Sequence, residues 1–297
     1  MPSSWRFVSS ISSVSWGPRE IDVVTTLALN VLGRGVLIHC ADRTSGALLS
    51  AAYGAMRSEV GVADLEYTVS RVAAATSGFV IERSGASPIE APDDGRLLAL
   101  FDADLAIEIQ RLRPDLYVVH AAVLTHGDGA VMLVARSGGG KSTLSWALLH
   151  HGLGYLSDEL APIDLATLDI LPFPRALMVK RAPPASHPMT PNALQTARGF
   201  HVPAAALPSE TVTRPARLRA IFFLHYAGET ARPSVRRLTA AEGAARLYAN
   251  TLNPLAHPGE GLDGAVRITS AHPCFELMTA DLGPSCELLV ATLKGAA

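Results

Sequence analysis

The sequence predicts an α/β fold, and three adjacent features of one stretch predict it. An apolar, β-prone run occupies 130–135. A glycine-rich loop follows, Arg136-Ser137-Gly138-Gly139-Gly140. Lys141, Ser142 and Thr143 then open a helical pattern that closes at Gly152. Strand, loop and helix in that order are the setting a phosphate-binding loop requires. Glycines let successive backbone N–H groups turn toward phosphate oxygens, and the helix N-terminus adds partial positive charge. Ser137, Gly138, Gly139, Gly140, Lys141, Ser142 and Thr143 are therefore candidate nucleotide-binding residues. Lys141 reaches the outer phosphates, and the Ser142 hydroxyl can hold magnesium. The pattern G-x-x-x-x-G-K-[ST] has Ala135 at its first position. One methyl is tolerable there if the backbone keeps φ below zero.

Composition narrows the class. A chain of 297 residues has room for a large core, as one big domain or two smaller ones. With 48% hydrophobic residues it is not a disordered chain, and a net charge of −2 argues against bulk nucleic-acid binding. Cys40, Cys274 and Cys286 are scattered and odd in number, which fits a reducing cytoplasm better than a disulfide framework. No apolar run is long enough to span a membrane. The N-terminal stretch 1–16 lacks the charged start and compact apolar core of a signal peptide. The expectation is a cytoplasmic protein with no membrane or nucleic-acid partner.

Taken in order, the apolar runs at 22–29, 35–39 and 78–83 read as strands, and 47–56 as a short helix. Residues 1–94 read as a small mixed α/β region without a catalytic motif. Leu98, Phe101, Leu105, Ile109 and Leu112 then recur at helical spacing, after a cap at Asp93 or Asp94 and before Pro114. The second domain, 95–297, is taken to begin with this helix. Next come a strand over 116–124, a hairpin turn at 126–129 and the phosphate loop. His120 lies mid-strand, and alternation alone makes it a core histidine satisfied by a hydrogen bond. His150 and His151 suit the last turn of the helix, and Gly152 suits its left-handed cap. The segment 153–160 is a short apolar run ending in Asp158 and Glu159. Carboxylates at a strand end beside phosphates can hold magnesium or take a proton from an attacking hydroxyl; alone they would as readily be a solvated turn.

Residues 161–171 read as strand material. Pro172-Phe173-Pro174-Arg175 is a rigid extended turn presenting Arg175, either a surface arginine or a stabiliser of charge on a moving phosphoryl group. The segment 182–217 carries seven prolines and reads as a long loop that covers an acceptor site and orders on binding. A buried strand at 218–225, a capping box at Thr239-Ala240-Ala241-Glu242, a strand at 274–277 and a helix at 285–293 complete the chain.

Four of these blocks, in one order and at short spacing, resemble the HPr kinase/phosphorylase superfamily and in particular its HPr-kinase-related branch. They are His120-Ala121-Ala122, Ser137 to Thr143, Tyr155-Leu156-Ser157-Asp158-Glu159 and Pro172-Phe173-Pro174-Arg175. The resemblance covers about half the chain well and leaves out the N-terminal region, which does not look like the regulatory domain of the bifunctional enzyme. It implies a phosphoenolpyruvate-carboxykinase-like P-loop core, a mixed sheet flanked by helices. It implies ATP and Mg2+, with Lys141 on phosphates and Ser142 on the metal. Asp158 would be the general base, Glu159 would help with the metal, and His120 would lie near the γ-phosphate. The implied activity is transfer of the γ-phosphoryl to a serine of a peptide or small protein. Some relatives in the branch act on ribosomal peptide precursors of the lasso type. An HPr serine kinase/phosphorylase, a small-molecule kinase and a non-catalytic nucleotide-binding regulator are the alternatives. Relatives of the bifunctional enzyme form hexamers, which makes a homo-oligomer an option.

Overall fold

The computed structural model describes residues 23–72, 78–228 and 231–295. The N-terminal stretch read for a signal peptide and the first residue of the strand expected over 22–29 lie outside the described residues.

The chain opens with β1 (Thr25–Val31), β2 (Arg34–Cys40), α1 (Arg43–Tyr53), β3 (Leu65–Arg71), β4 (Phe79–Arg83), β5 (Ile89–Ala91) and α2 (Asp94–Leu112). Its five strands lie in sequence order in one sheet; β2 and β3 are parallel through the α1 crossover, and the other pairs are antiparallel. Asp42 caps α1 by accepting from the Thr44 and Ser45 N–H groups, and Asp93 caps α2 by accepting from Arg96 N–H. Leu97, Phe101, Leu105 and Ile109 of α2 are buried in the same core as the N-terminal sheet. The helix expected to head the second domain therefore packs as the cover of the first. That core also takes in Leu116, Val118, Leu160, Phe173 and Ala176, so the two halves share apolar contacts.

The remainder comprises β6 (Leu116–Val119), β7 (Ala121–His126), β8 (Gly129–Val134), α3 (Lys141–His150), β9 (Gly154–Ser157), β10 (Ala161–Asp164), β11 (Asp169–Ile170), β12 (Leu177–Val179), β13 (Leu194–Thr196), β14 (Gly199–Val202), β15 (Ala216–Tyr226), β16 (Ser234–Leu238), α4 (Ala240–Tyr248), α5 (Leu262–Ala271), β17 (Cys274–Thr279) and α6 (Leu282–Gly295). Nine of these strands form one mixed sheet. Its main path runs β6-β10-β11-β15-β8-β7-β9, and β17 joins it between β15 and β16. The long strand β15 runs parallel to β8 on one side and to β17 on the other, so the strand leading into the glycine-rich loop is central and fully buried. One apolar cluster lies on each face of this sheet. The architecture is mixed α/β, as expected.

The structure departs from the sequence reading in three ways. The strand expected over 116–124 breaks at His120: β6 pairs with β10, whereas β7 pairs with β8 and β9. At the break His120 N–H donates to the Asn250 carbonyl at 2.8 Å, a partner more than a hundred residues away that no local pattern announces. The proline-rich segment is not a long loop. It contributes β13 and β14, which join β12 in a separate three-stranded sheet. Prolines fall between these short strands rather than inside them, which is where they cost no ladder hydrogen bond. Finally, β3, β5, β12, β16 and α5 have no counterpart in the sequence reading. The capping box at Thr239 is present, with Thr239 and Glu242 each bonded to the other's backbone N–H.

Candidate active site

The glycine-rich loop leaves β8 at Val134 and enters α3 at Lys141. Ala135 is buried and is not among the residues with positive φ, so its methyl meets the backbone condition set above. Gly138 and Gly140 carry φ of +81° and +89°, which L side chains adopt only with strain. Gly139 is required for a different reason. A Cβ there would stand 2.9 Å from the Ala135 methyl and 3.0 Å from the Arg136 carbonyl. An alanine at the first motif position thus demands glycine at the fifth. Gly140 occupies the cap of α3 and no side chain caps the helix, so its first-turn N–H groups face outward without a side-chain acceptor.

Lys141 is buried and folds back across this loop. Its Nζ lies 3.0 Å from the Ala135 carbonyl and 3.1 Å from Nε2 of His120. Burial lowers its pKa, and the charges of Glu159 and Asp158 resist that. From β12, Lys180 brings its Nζ to 3.5 Å from the Ser137 hydroxyl.

Asp158 and Glu159 follow β9 and diverge. Glu159 has φ of +75°, a left-handed conformation unusual for a residue with a Cβ. That kink sends the two carboxylates apart. Asp158 is fully buried, with its oxygens 3.4 and 3.5 Å from Ser142 Oγ. Glu159 places Oε2 2.7 Å from His120 Nε2. Their proton affinities diverge as well. Burial, reinforced by the Glu159 charge, raises Asp158 to about 6. Burial would raise Glu159 too, but the His120 hydrogen bond and Arg175 hold it down to about 2. Two adjacent carboxylates are thereby separated into one that stays ionised and one that can exchange a proton near neutrality.

Phe173 pairs beside Ser157, and its N–H donates to the Leu156 carbonyl at 3.1 Å, which lays the proline-flanked turn along β9. Arg175 is delivered beneath Asp158. Its Nε lies 3.3 Å from the Asp158 carbonyl and 3.4 Å from Asp102 Oδ1, and one terminal nitrogen lies 3.9 Å from both Asp158 Oδ2 and Glu159 Oε1. Burial opposes its charge, but the three carboxylates outweigh that and raise its pKa. Arg175 is a buried site residue, not a surface arginine.

Among the described residues no group of three or more His, Cys, Asp or Glu side chains could hold a metal by itself. Magnesium does not need one, because it takes one or two protein oxygens and fills its shell with waters and phosphate oxygens. The Ser142 hydroxyl is such an oxygen, and it stands 3.4 Å from the Asp158 carboxylate, too far for a strong hydrogen bond. Glu159, expected beside the metal, is turned to His120. The structure thus gathers His120, Lys141, Ser142, Asp158, Glu159 and Arg175 in one place, with the loop from Ser137 to Gly140 at its rim. Thr143 lies in the first turn of α3 next to them. Sequence reasoning missed Asp102 and Tyr53. Both are ordinary members of amphipathic helices, and only the packing of α1 and α2 against the Arg175 turn sets them apart.

No protein-family model matches the chain, and no curated protein matches it. Among solved structures, the Hpr(Ser) kinase/phosphatase from Coxiella burnetii is similar over 60% of this chain and 88% of that chain, at 15% identity and a TM-score of 0.32. A likeness of that degree carries no argument, so the function is read from the site itself.

Proposed function

We propose that the chain is a magnesium-dependent phosphotransferase that moves the γ-phosphoryl group of a nucleoside triphosphate to a hydroxyl. The observation that carries this is Asp158: a fully buried carboxylate of raised proton affinity, 3.4 Å from the serine hydroxyl of a glycine-rich loop. A protein that only binds nucleotide has no use for a second carboxylate kept ready to take a proton.

In the proposed reaction the loop N–H groups and Lys141 hold the phosphate chain. The acceptor oxygen attacks the γ-phosphorus as its proton passes to Asp158. The bond from the γ-phosphorus to the bridging oxygen breaks, and the electron pair leaves on the diphosphate. Arg175 stabilises negative charge near the transferring group. Glu159 fixes His120 beside Lys141; one imidazole nitrogen faces both, so it donates to Glu159 or accepts from Lys141, not both at once. Magnesium, held by the Ser142 hydroxyl, would offset phosphate charge.

The blocks around His120, Lys141, Asp158 and Arg175 support ATP as donor and a serine in a peptide or small protein as acceptor. A lasso-type precursor is one candidate. Among the described residues no helix is long and apolar enough to cross a membrane. The test is intact-mass spectrometry of candidate acceptors incubated with protein, magnesium and ATP. Peptides encoded beside the gene, an HPr protein and small hydroxyl compounds form the panel. A gain of one phosphoryl group on a peptide supports the proposal, and a gain on a small compound alone moves it to a small-molecule kinase. Nucleotide binding with no gain on any acceptor overturns it in favour of a regulator.

A further inference from the structure

We propose that Asp102, on α2, is a positioning residue that holds Arg175 away from Asp158, so that the N-terminal sheet and its helices are a working part of the active centre. The inference rests on the phosphotransfer reading for its consequence, but its geometry can be tested without any phosphoryl transfer.

The contacts run in one line. Tyr53, buried at the end of α1 against Phe101, donates its hydroxyl hydrogen to Asp102 Oδ1 at 3.1 Å. The same oxygen lies 3.4 Å from Arg175 Nε. One residue on, the Ala176 N–H donates to the Ala52 carbonyl at 2.7 Å. Helices α1 and α2 therefore grip both the side chain and the backbone of the Arg175 turn. Held this way, the guanidinium stays 3.9 Å from each of the two catalytic-side carboxylates instead of pairing closely with either.

The restraint has a chemical consequence. A buried guanidinium free to move closes on the nearest buried carboxylate, because little water competes for the pair. Closure on Asp158 would turn a proton acceptor into a fixed ion-pair partner. The groups facing Asp158 are Glu159 beside it, Arg175 from the proline-flanked turn, Lys141 and Ser142 from α3, and the Met178 N–H from β12. Tyr155 on β9 lies near enough to feel its charge. Arg175 is faced in addition by Tyr53 and by His201 on β14. Asp102 is the carboxylate that pulls Arg175 toward the N-terminal unit.

The experiment is a crystal structure of Asp102→Asn in the full chain, with Tyr53→Phe and Asp102→Glu beside it. In Asp102→Asn the Arg175 terminal nitrogen should close on Asp158 Oδ2 from 3.9 Å to about 3 Å, the distance of a close charged pair. In Tyr53→Phe it should approach less, in the same direction. Asp102→Glu, which keeps the charge, should leave Arg175 paired on the α2 side. A purely structural role for Asp102 would lower thermal stability in these variants without moving Arg175 toward Asp158, and that outcome overturns the proposal. If Asp102→Asn does not fold, Tyr53→Phe decides: an approach to Asp158 sustains the proposal, and an unmoved Arg175 overturns it. Phosphoryl transfer, measured separately with Asp158→Asn, decides the functional reading, so the two can fail independently.

Discussion

Glu159 Oε2 lies 2.7 Å from His120 Nε2, while the neighbouring carboxylate of Asp158 faces the Ser142 hydroxyl at 3.4 Å. The left-handed backbone at Glu159 makes this divergence possible. Its cost in strain is of a size that persists only where the surroundings enforce it. Replacing Glu159 by glycine would relax the backbone and remove the anchor of His120. Thermal stability should change little, while phosphoryl transfer falls about tenfold or more through a misplaced His120. Calorimetry beside a transfer assay checks both.

The raised proton affinity of Asp158 gives a pH prediction whose sign is fixed. Its folded-state value, about 6, lies above its ordinary 3.8. The folded state therefore binds this proton more tightly than the unfolded chain does. The associated stability is full below about pH 4 and lost as pH rises through about 6. Asp158→Asn should accordingly be more stable than wild type at pH 7.5, by roughly 1–3 kcal/mol, with the gain fading toward pH 4. Denaturant melts at the two pH values measure it. In the wild type, transfer should rise with pH through about 6 as Asp158 loses its proton.

The loop makes a prediction that depends on its departure from the standard motif. Gly139→Ala places a methyl 2.9 Å from that of Ala135, so the loop must shift. Nucleotide affinity should weaken by about tenfold or more, since misdirected N–H groups lose charged hydrogen bonds. Adding Ala135→Gly should restore only part, because the Arg136 carbonyl is still 3.0 Å from the new methyl. Calorimetric titration of the two variants with nucleotide distinguishes this coupling from independent effects.

Lys141 offers a simpler case. Its buried ammonium sits between the Ala135 carbonyl and His120. Lys141→Ala removes a charge aimed at the phosphates and should raise the nucleotide Kd by about 10- to 100-fold. It should leave the fold intact, since burial already opposes the Lys141 charge and removing it relieves that cost. Circular dichroism and nucleotide titration on one sample check the pair.

These predictions show which parts of the protein were legible beforehand. The loop, α3 and its Gly152 cap are local in sequence, and local chemistry announced them. The carboxylate pair and the Arg175 turn were also visible, because prolines and adjacent acids are strong local signals. What stayed hidden depends on distant chain. The break at His120 needs Asn250 to accept its N–H. The turning of Glu159 away from Ser142 needs one residue in a left-handed conformation. Asp102 reaches the site only because α2 packs under a turn some seventy residues later. The proline-rich segment misled because proline content marks the gaps between short strands as well as true loops.

The central claim is that Asp158 accepts the proton of an attacking hydroxyl. The direct test is a paired measurement on Asp158→Asn and wild type: nucleotide affinity in magnesium, and the rate of single-turnover phosphoryl transfer to whichever acceptor the mass screen identifies. Affinity should stay within a few-fold and transfer should fall by about 10²- to 10⁴-fold, the usual contribution of a positioned base. Transfer that survives the substitution at near wild-type rate would contradict it.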